Sequence, residues 1–284
     1  MTNPTSSGRL SMRLGYRFNL VGMSALGIIL LWAGIALFAP QIIPHSVGEI
    51  VDTDYFGPVS RDLWFGSDYL GRDIFSRILM GARYTLGISL AAVSIACFSG
   101  VALGMTAAVA GGWFDSMLSR FLDALNSIPS KLFGLVVVAA VGSSIPALIA
   151  TLSVIYTPGA YRFARALAVN VNTMDFMVVA RIRGERLPYL IASEILPNIL
   201  GPVLADLGLR FVFIVLLLSG LSFLGLGVQP PYADWGALVR ENIGGLPFGA
   251  PAVIFPSLAI ASLTISVNLL IDNLPSRIRD RSAE

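Results

Sequence analysis

The sequence predicts an all-α integral membrane protein that crosses the bilayer about six times. Hydrophobic residues make up 55% of its 284 residues, charged residues only 13%, and the mean hydropathy is +0.77. A soluble domain carries roughly a quarter charged residues, so this chain has too little polar surface to cover itself in water. Its apolar residues also come in long runs, near the ~20 residues that a helix needs to cross the hydrocarbon. Inside lipid the backbone must satisfy its own hydrogen bonds, and a helix does so within one segment.

The elements follow in order. Arg9, Arg13 and Arg17 precede the first run, Leu20–Ala39, as in a secretory signal. That run is too long for a signal core and ends in Leu37-Phe38-Ala39-Pro40, without the small-x-small cleavage pattern. It reads as a retained first span, 20–39, after a cytoplasmic segment, 1–19. Residues 40–84 form an external loop rich in Pro, Gly and Asp. The core, 85–272, supplies five further spans: Leu86–Ala110, Leu132–Ile145, Ala147–Phe163, Ile199–Phe223 and Ala252–Ile271. The third is short and is expected to borrow Asn126–Lys131, where Pro129 is tolerable as a first-turn residue. Gly142-Ser143-Ser144-Ile145-Pro146 should fold spans three and four into a tight hairpin; if that hairpin is re-entrant the count falls to five. Gly100 and Gly104 form a small-xxx-small pair that lets helices approach closely.

Basic residues set the orientation. With the N-terminus inside, the inner segments hold Arg9, Arg13, Arg17, Arg120, Lys131, Arg162, Arg165, Arg181, Arg183, Arg186, Arg277, Arg279 and Arg281, and the outer ones only Arg61, Arg72, Arg77, Arg83 and Arg240. Both termini, including the tail 273–284, are therefore expected in the cytoplasm. Two loops are longer than connectors need to be, the external segment 40–84 and the cytoplasmic segment 164–198, and a second external segment, 225–251, reads as a folded cap.

The cytoplasmic loop carries the local detail. Asp175 is placed to N-cap a short helix over Phe176–Arg183, with Gly184 at its C′ position. Phe176, Val179 and Arg183 then share one stripe, and Pro197 marks the entry to the fifth span. Such a helix–Gly–helix element could fit a groove on a soluble partner. The residues alone leave open a second reading, an interfacial helix held on lipid headgroups by Arg181, Arg183 and Arg186.

Several functions are excluded. The net charge of +2, without a concentrated basic run, gives no footing for nucleic acid. Cys97 is the only cysteine and reads as a small buried hydrophobe. The lone His45, without companions at metal spacing, reads as a solvated side chain, and no metal site is expected. There is no phosphate-binding loop: the only lysine, Lys131, follows Ser130. With no nucleophile–base–orienter set either, the chain is not expected to be an enzyme, and it needs no cofactor of its own.

Three stretches resemble a known family. Val178-Val179-Ala180-x3-Gly184-x9-Glu194-x-Leu196-Pro197 is similar to the cytoplasmic signature of ABC importer permeases, E-A-A-x3-G-x9-I-x-L-P. It departs from that pattern at Val178, Val179 and Glu194 and keeps the Gly and Leu-Pro positions. Phe65-Gly66-Ser67-Asp68-x2-Gly71-Arg72-Asp73-x2-Ser76-Arg77 resembles the segment before the second span of peptide-type permeases. Gly225-Leu226-Gly227-Val228-Gln229-Pro230-Pro231, followed by Asp234-Trp235-Gly236, is similar to an external loop of the same group. The likeness runs from Phe65 to the C-terminus and is closest to the second permease subunit of dipeptide, oligopeptide and nickel ABC importers.

The resemblance implies a type I importer permease fold in a bacterial inner membrane. It implies a heterodimer with a homologous permease, two ATPase subunits holding ATP and Mg, and an extracytoplasmic solute-binding protein. It assigns Phe176, Val179, Ala180, Arg183, Gly184, Leu196 and Pro197 to the coupling helix that docks on the ATPase. For Gly66, Asp68, Gly71, Arg72 and Asp73, the reading from residues is a folded external turn whose charges pair at the surface, where pairs are worth little.

Asp206 and Arg210 lie four residues apart in the fifth span and share a face. They are candidates for the translocation path, although an intrahelical pair that neutralises itself is the favoured reading. An ion-driven secondary transporter is the alternative class; it would call for intramembrane acidic clusters and inverted repeats. A membrane-embedded enzyme and a non-transporting scaffold are weaker readings.

Overall fold

The structure, a computed structural model, describes residues 20–273. The expected cytoplasmic segments 1–19 and 274–284, with the arginines that weigh on orientation there, lie outside the described residues.

The described chain is helical. Helix α1 spans Leu20–Ile42, α2 Ile74–Ala110, α3 Gly112–Asn126, α4 Ser130–Val141 and α5 Ile145–Asn172. Then come α6, Asp175–Ile182, and a single turn, α7, Leu187–Tyr189. The π-helical turn Leu190–Ile195 joins α7 to α8, Leu196–Phe223, and the whole of Leu187–Phe223 runs on as one helix. Two short elements follow, α9 over Trp235–Asn242 and a 3-10 turn over Ile243–Phe248, before α10, Pro251–Asp272.

Among the described residues, four helices are long and apolar enough to cross a membrane alone: α1, α2, Leu187–Phe223 and α10. The α3–α4 pair, bent by 83°, is a fifth segment of the right composition. Helix α5 is 28 residues long but carries Arg162 and Arg165 in its second half. It packs along α2 in the middle of the bundle. Gly100 faces Ala160 and Gly104 faces the Tyr161 carbonyl, where an added Cβ would come within 2.6 and 2.7 Å. The small-xxx-small pair thus seats α5 directly on α2.

Several boundaries differ from expectation for local reasons. Helix α2 begins at Ile74, inside the expected 40–84 loop, because Asp73 caps it: its carboxylate accepts from the Phe75 and Ser76 amides. At 37 residues α2 is roughly 55 Å long, well beyond a ~30 Å hydrocarbon core, so part of it projects from the membrane. The third span does not borrow Asn126. Chain direction breaks at Ser127-Ile128-Pro129, Asn126 ends α3, and α4 starts at Ser130 with Pro129 at its N-cap position. Helix α5 begins at Ile145, where Ser144 accepts from the Ala147 amide, and runs to Asn172, so the first part of the expected 164–198 loop belongs to a helix. Nor does Pro197 start a helix: the helix begins ten residues earlier, at Leu187. Proline lacks an N–H and clashes with the carbonyl four residues back, and the wider π-helical turn sits just before it.

The main core lies between α2, α5, α8, α9 and α10 and includes Leu86, Val93, Leu148, Leu152, Ile214, Leu218 and Trp235. Cys97 is buried there. Helix α1 closes one side. Its Trp32 donates to Ser262 Oγ at 3.0 Å and meets the Trp235 ring edge-on at 4.7 Å.

Candidate functional site

Three groups of sequence-marked residues occupy three levels of the bundle. The first is a cap at the end where α2 begins. Asp68 is fully buried and holds two arginines: Arg72 Nε donates to its Oδ2 at 2.7 Å and Arg77 NH1 to the same oxygen at 2.6 Å. Both arginines also reach Glu241 Oε2 on α9, at 3.0 and 2.7 Å. The remaining Asp68 oxygen accepts the Leu70 and Arg72 amides. Two carboxylates thus balance two guanidinium groups that water does not reach. This corrects the expectation of surface pairs: removing one partner of a buried pair costs about 3–5 kcal/mol, against at most ~1 kcal/mol for an exposed one. Glu241 was not singled out in the sequence, since nothing local ties it to residues more than 160 positions earlier.

Glycines shape the same loop. Gly66 and Gly71 have φ of +74° and +75°, and a Cβ on Gly71 would fall 2.1 Å from the Asp52 carbonyl oxygen. Asp73, besides capping α2, accepts from Ser76 Oγ and lies 3.2 Å from His45 Nδ1. His45 is therefore half-buried against a carboxylate, not the solvated side chain expected.

The second of these motifs completes the cap. Trp235 is fully buried, donating its indole N–H to the Ile78 carbonyl and its amide to Thr85 Oγ1. Asp234 precedes it and accepts from Ser222 Oγ and from the Val228, Gly236 and Ala237 amides. Burial pushes its carboxyl pKa up, while those four donors pull against the shift. Gly225 (φ +90°) lies against the Arg240 guanidinium, and Gly227 leaves room for Ser222 and Asp234. Pro230 and Pro231 sit exposed in the turn before Asp234.

The second group forms an elbow at the opposite end. Asn172 and Arg181 bond the Ala108 and Val109 carbonyls, which places α6 beside the last turn of α2. Asp175 is the first residue of α6 and not its cap: the N-cap is Met174, and no side-chain hydrogen bond is made there. At the other end Gly184 has φ +78°. Its amide donates to the Arg181 carbonyl and the Glu185 amide to Ala180, the paired bonds of a Schellman motif. Met177 and Ala180 are buried against Leu190, Ile195 and Ile199. Phe176, Val178, Val179, Ile182 and Arg183 face outward and are exposed. Leu196 is half-buried and Pro197 exposed at the start of α8.

The third group is a pair within α8. Arg210 donates from Nε and NH2 to both oxygens of Asp206, a bidentate contact one turn apart. Both side chains are largely shielded. The guanidinium lies over Gly159 of α5, where a Cβ would come within 2.5 Å of NH1. The geometry is the self-neutralising one.

Residues 100–280 match the model of the family described as binding-protein-dependent transport system inner membrane component. The chain belongs to this family. It is a multi-pass inner-membrane permease subunit of an ABC-type importer. Similar proteins include a dipeptide transport system permease protein of Alkalihalophilus pseudofirmus, 31% identical over 256 residues that cover 90% of this chain and 84% of the relative. A glutathione transport system permease protein of Pectobacterium atrosepticum is 33% identical, covering 89% and 85%. A putative peptide transport system permease protein of Brucella suis is 32% identical, covering 94% and 88%.

Proposed function

We propose that this permease forms half of a translocation pathway for peptides or related small solutes and is driven by a separate ATPase that grips the α6 elbow. The observation that carries this reading is the outward face of α6. A helix of eight residues, fixed by Met177 and Ala180, turns Phe176, Val178, Val179 and Ile182 away from the chain at the end of the bundle opposite the cap. An exposed apolar helix face ending in a glycine turn suits insertion into a groove of a soluble partner.

In this reading the cap is external and receives the solute-binding protein, and the elbow and both termini are cytoplasmic. A homologous permease pairs with this one, and two ATPase subunits beneath supply ATP and Mg. ATPase closure pushes the segment Phe176–Leu196, whose second half belongs to the continuous helix Leu187–Phe223 and so carries the push into the bundle. The balance between the two packings must differ with nucleotide state for transport to occur. The peptide class rests on the dipeptide, glutathione and peptide systems of the relatives.

Gly184→Pro tests the elbow. Proline cannot adopt the positive φ of this position or donate the Gly184 amide, so the variant is expected to assemble in the membrane yet lose uptake. Normal uptake by an assembled Gly184→Pro complex would reject the coupling role. Solute accumulation by vesicles holding this chain alone, driven by a proton or sodium gradient, would favour an ion-driven secondary transporter instead.

A further inference from the structure

We infer that α3 does not cross the membrane but lies in its plane, as an interfacial helix seated on an anionic lipid surface. The side chains of α3 fall on three arcs. One packs on the protein: Leu122 is buried, and Asp115 and Ser119 reach Tyr161 and Arg165 of α5. A second arc, Trp113, Phe114, Met117 and Phe121, is apolar and exposed. The third, Ser116, Arg120 and Asp123, is polar and exposed. A helix with lipid on one side, water on another and protein on the third has this division.

The ion pairs fix its direction. Asp115 binds Arg165 and Asp123 binds Arg162. Eight residues of α3, roughly 12 Å, are therefore pinned to three residues of α5, roughly 4.5 Å. Helix α3 thus does not keep step with α5 along its length. The 83° bend then turns the chain into α4, whose exposed Leu132, Leu135 and Val136 continue the apolar surface. The level is set too: α3 meets α5 where that helix acquires Arg162 and Arg165, beside the last turns of α2.

Charge selects the surface. Arg120 and Lys131 are exposed and have no carboxylate partner among the described residues. Two unpaired cations flanking an in-plane apolar face match the phosphates of anionic headgroups. That this is the cytoplasmic leaflet rests on the orientation proposed above; that α3 is in-plane does not.

The test uses the assembled transporter in proteoliposomes, with Cys97→Ala as background and a spin label at Ser116→Cys or Met117→Cys. The label at 116 is expected to collide with a water-soluble nickel chelate. The label at 117 should lose that access and collide with oxygen dissolved in lipid. Loss of chelate access at both sites would mean a membrane-crossing helix. Chelate access at both would mean a water-facing helix, and access to neither reagent at 117 would mean a protein partner on this face. Each of these three results overturns the inference. Which side of the vesicle the chelate must enter from reports orientation separately. In a second arm, enrichment of a spin-labelled anionic lipid over a neutral one around the transporter should be lost on Arg120→Ala with Lys131→Ala. Unchanged enrichment would overturn the headgroup assignment.

Discussion

At the cap, Asp68 and Glu241 lie between Arg72 and Arg77, and the charges cancel out of reach of water. At the elbow, Arg183 and Arg186 stay exposed, and α6 holds to the bundle through Met177, Ala180 and the Arg181 hydrogen bonds while its other apolar side chains point outward. Both ends carry motif residues, but the two motifs do different physical jobs. The cap motif spends its side chains on its own fold. The elbow motif fixes a backbone shape, through Gly184 and the turn before Pro197, and leaves its side chains for another surface. Substitutions should therefore separate the ends: cap changes act on stability first, and elbow changes act on partnership first.

The largest expected effect is at Asp68. Asp68→Ala leaves Arg72 and Arg77 buried with only Glu241 between them, and removing one partner of such a network costs about 3–5 kcal/mol. Thermal denaturation in detergent should show a marked fall in stability, together with less protein in the membrane. A variant as stable as the parent would mean that the network is not buried in the assembled protein. Gly71→Ala should follow, by about 1–2 kcal/mol for the left-handed backbone alone, and more because the Asp52 carbonyl must move. Limited proteolysis of the segment before α2 would report it.

The contrast between the ends also explains what could be read from the chain. The apolar runs located the four helices long and apolar enough to cross a membrane, and Gly184 announced its turn, because those signals are local. Asp68, Arg72 and Arg77 were visible as a charged segment, but their burial was not, since the partner that completes them, Glu241, lies on a helix far along the chain. The start of α2 lies within a stretch whose Pro, Gly and Asp content reads as loop, whereas the Asp73 cap overrides composition. Pro129 reads as a tolerable first-turn residue of the third span, whereas the chain breaks and turns sharply there. That angle depends on Asp115 and Asp123 finding Arg165 and Arg162 in α5.

A smaller effect is expected at Gly184. Nothing lies within 4 Å of an added Cβ there, so Gly184→Ala meets only the strain of φ +78°, about 1–2 kcal/mol. Part of that strain can be relieved by fraying the end of α6, which would show as faster amide exchange in Ala180–Glu185 with the rest of the bundle unchanged. Exchange that spreads into α8 would instead mean that the elbow and the bundle unfold together.

The smallest stability effect, and the sharpest functional one, belongs to the outward face of α6. Phe176→Ser with Val179→Ser removes apolar area that the chain buries only in part, Phe176 being 37% and Val179 48% exposed, so the loss of stability should be about 1 kcal/mol, well below that at the cap. If the face is a docking surface, the same pair of changes should reduce the ATPase subunits recovered with the permease and uncouple ATP hydrolysis from uptake. An interfacial helix on lipid predicts something else: weaker membrane seating of α6 with ATPase recovery intact. Because Met177 and Ala180 continue to hold α6 in either case, the two outcomes differ only in what had covered the exposed side. Measuring both recovery and uptake therefore identifies the covering surface without unfolding the element that presents it.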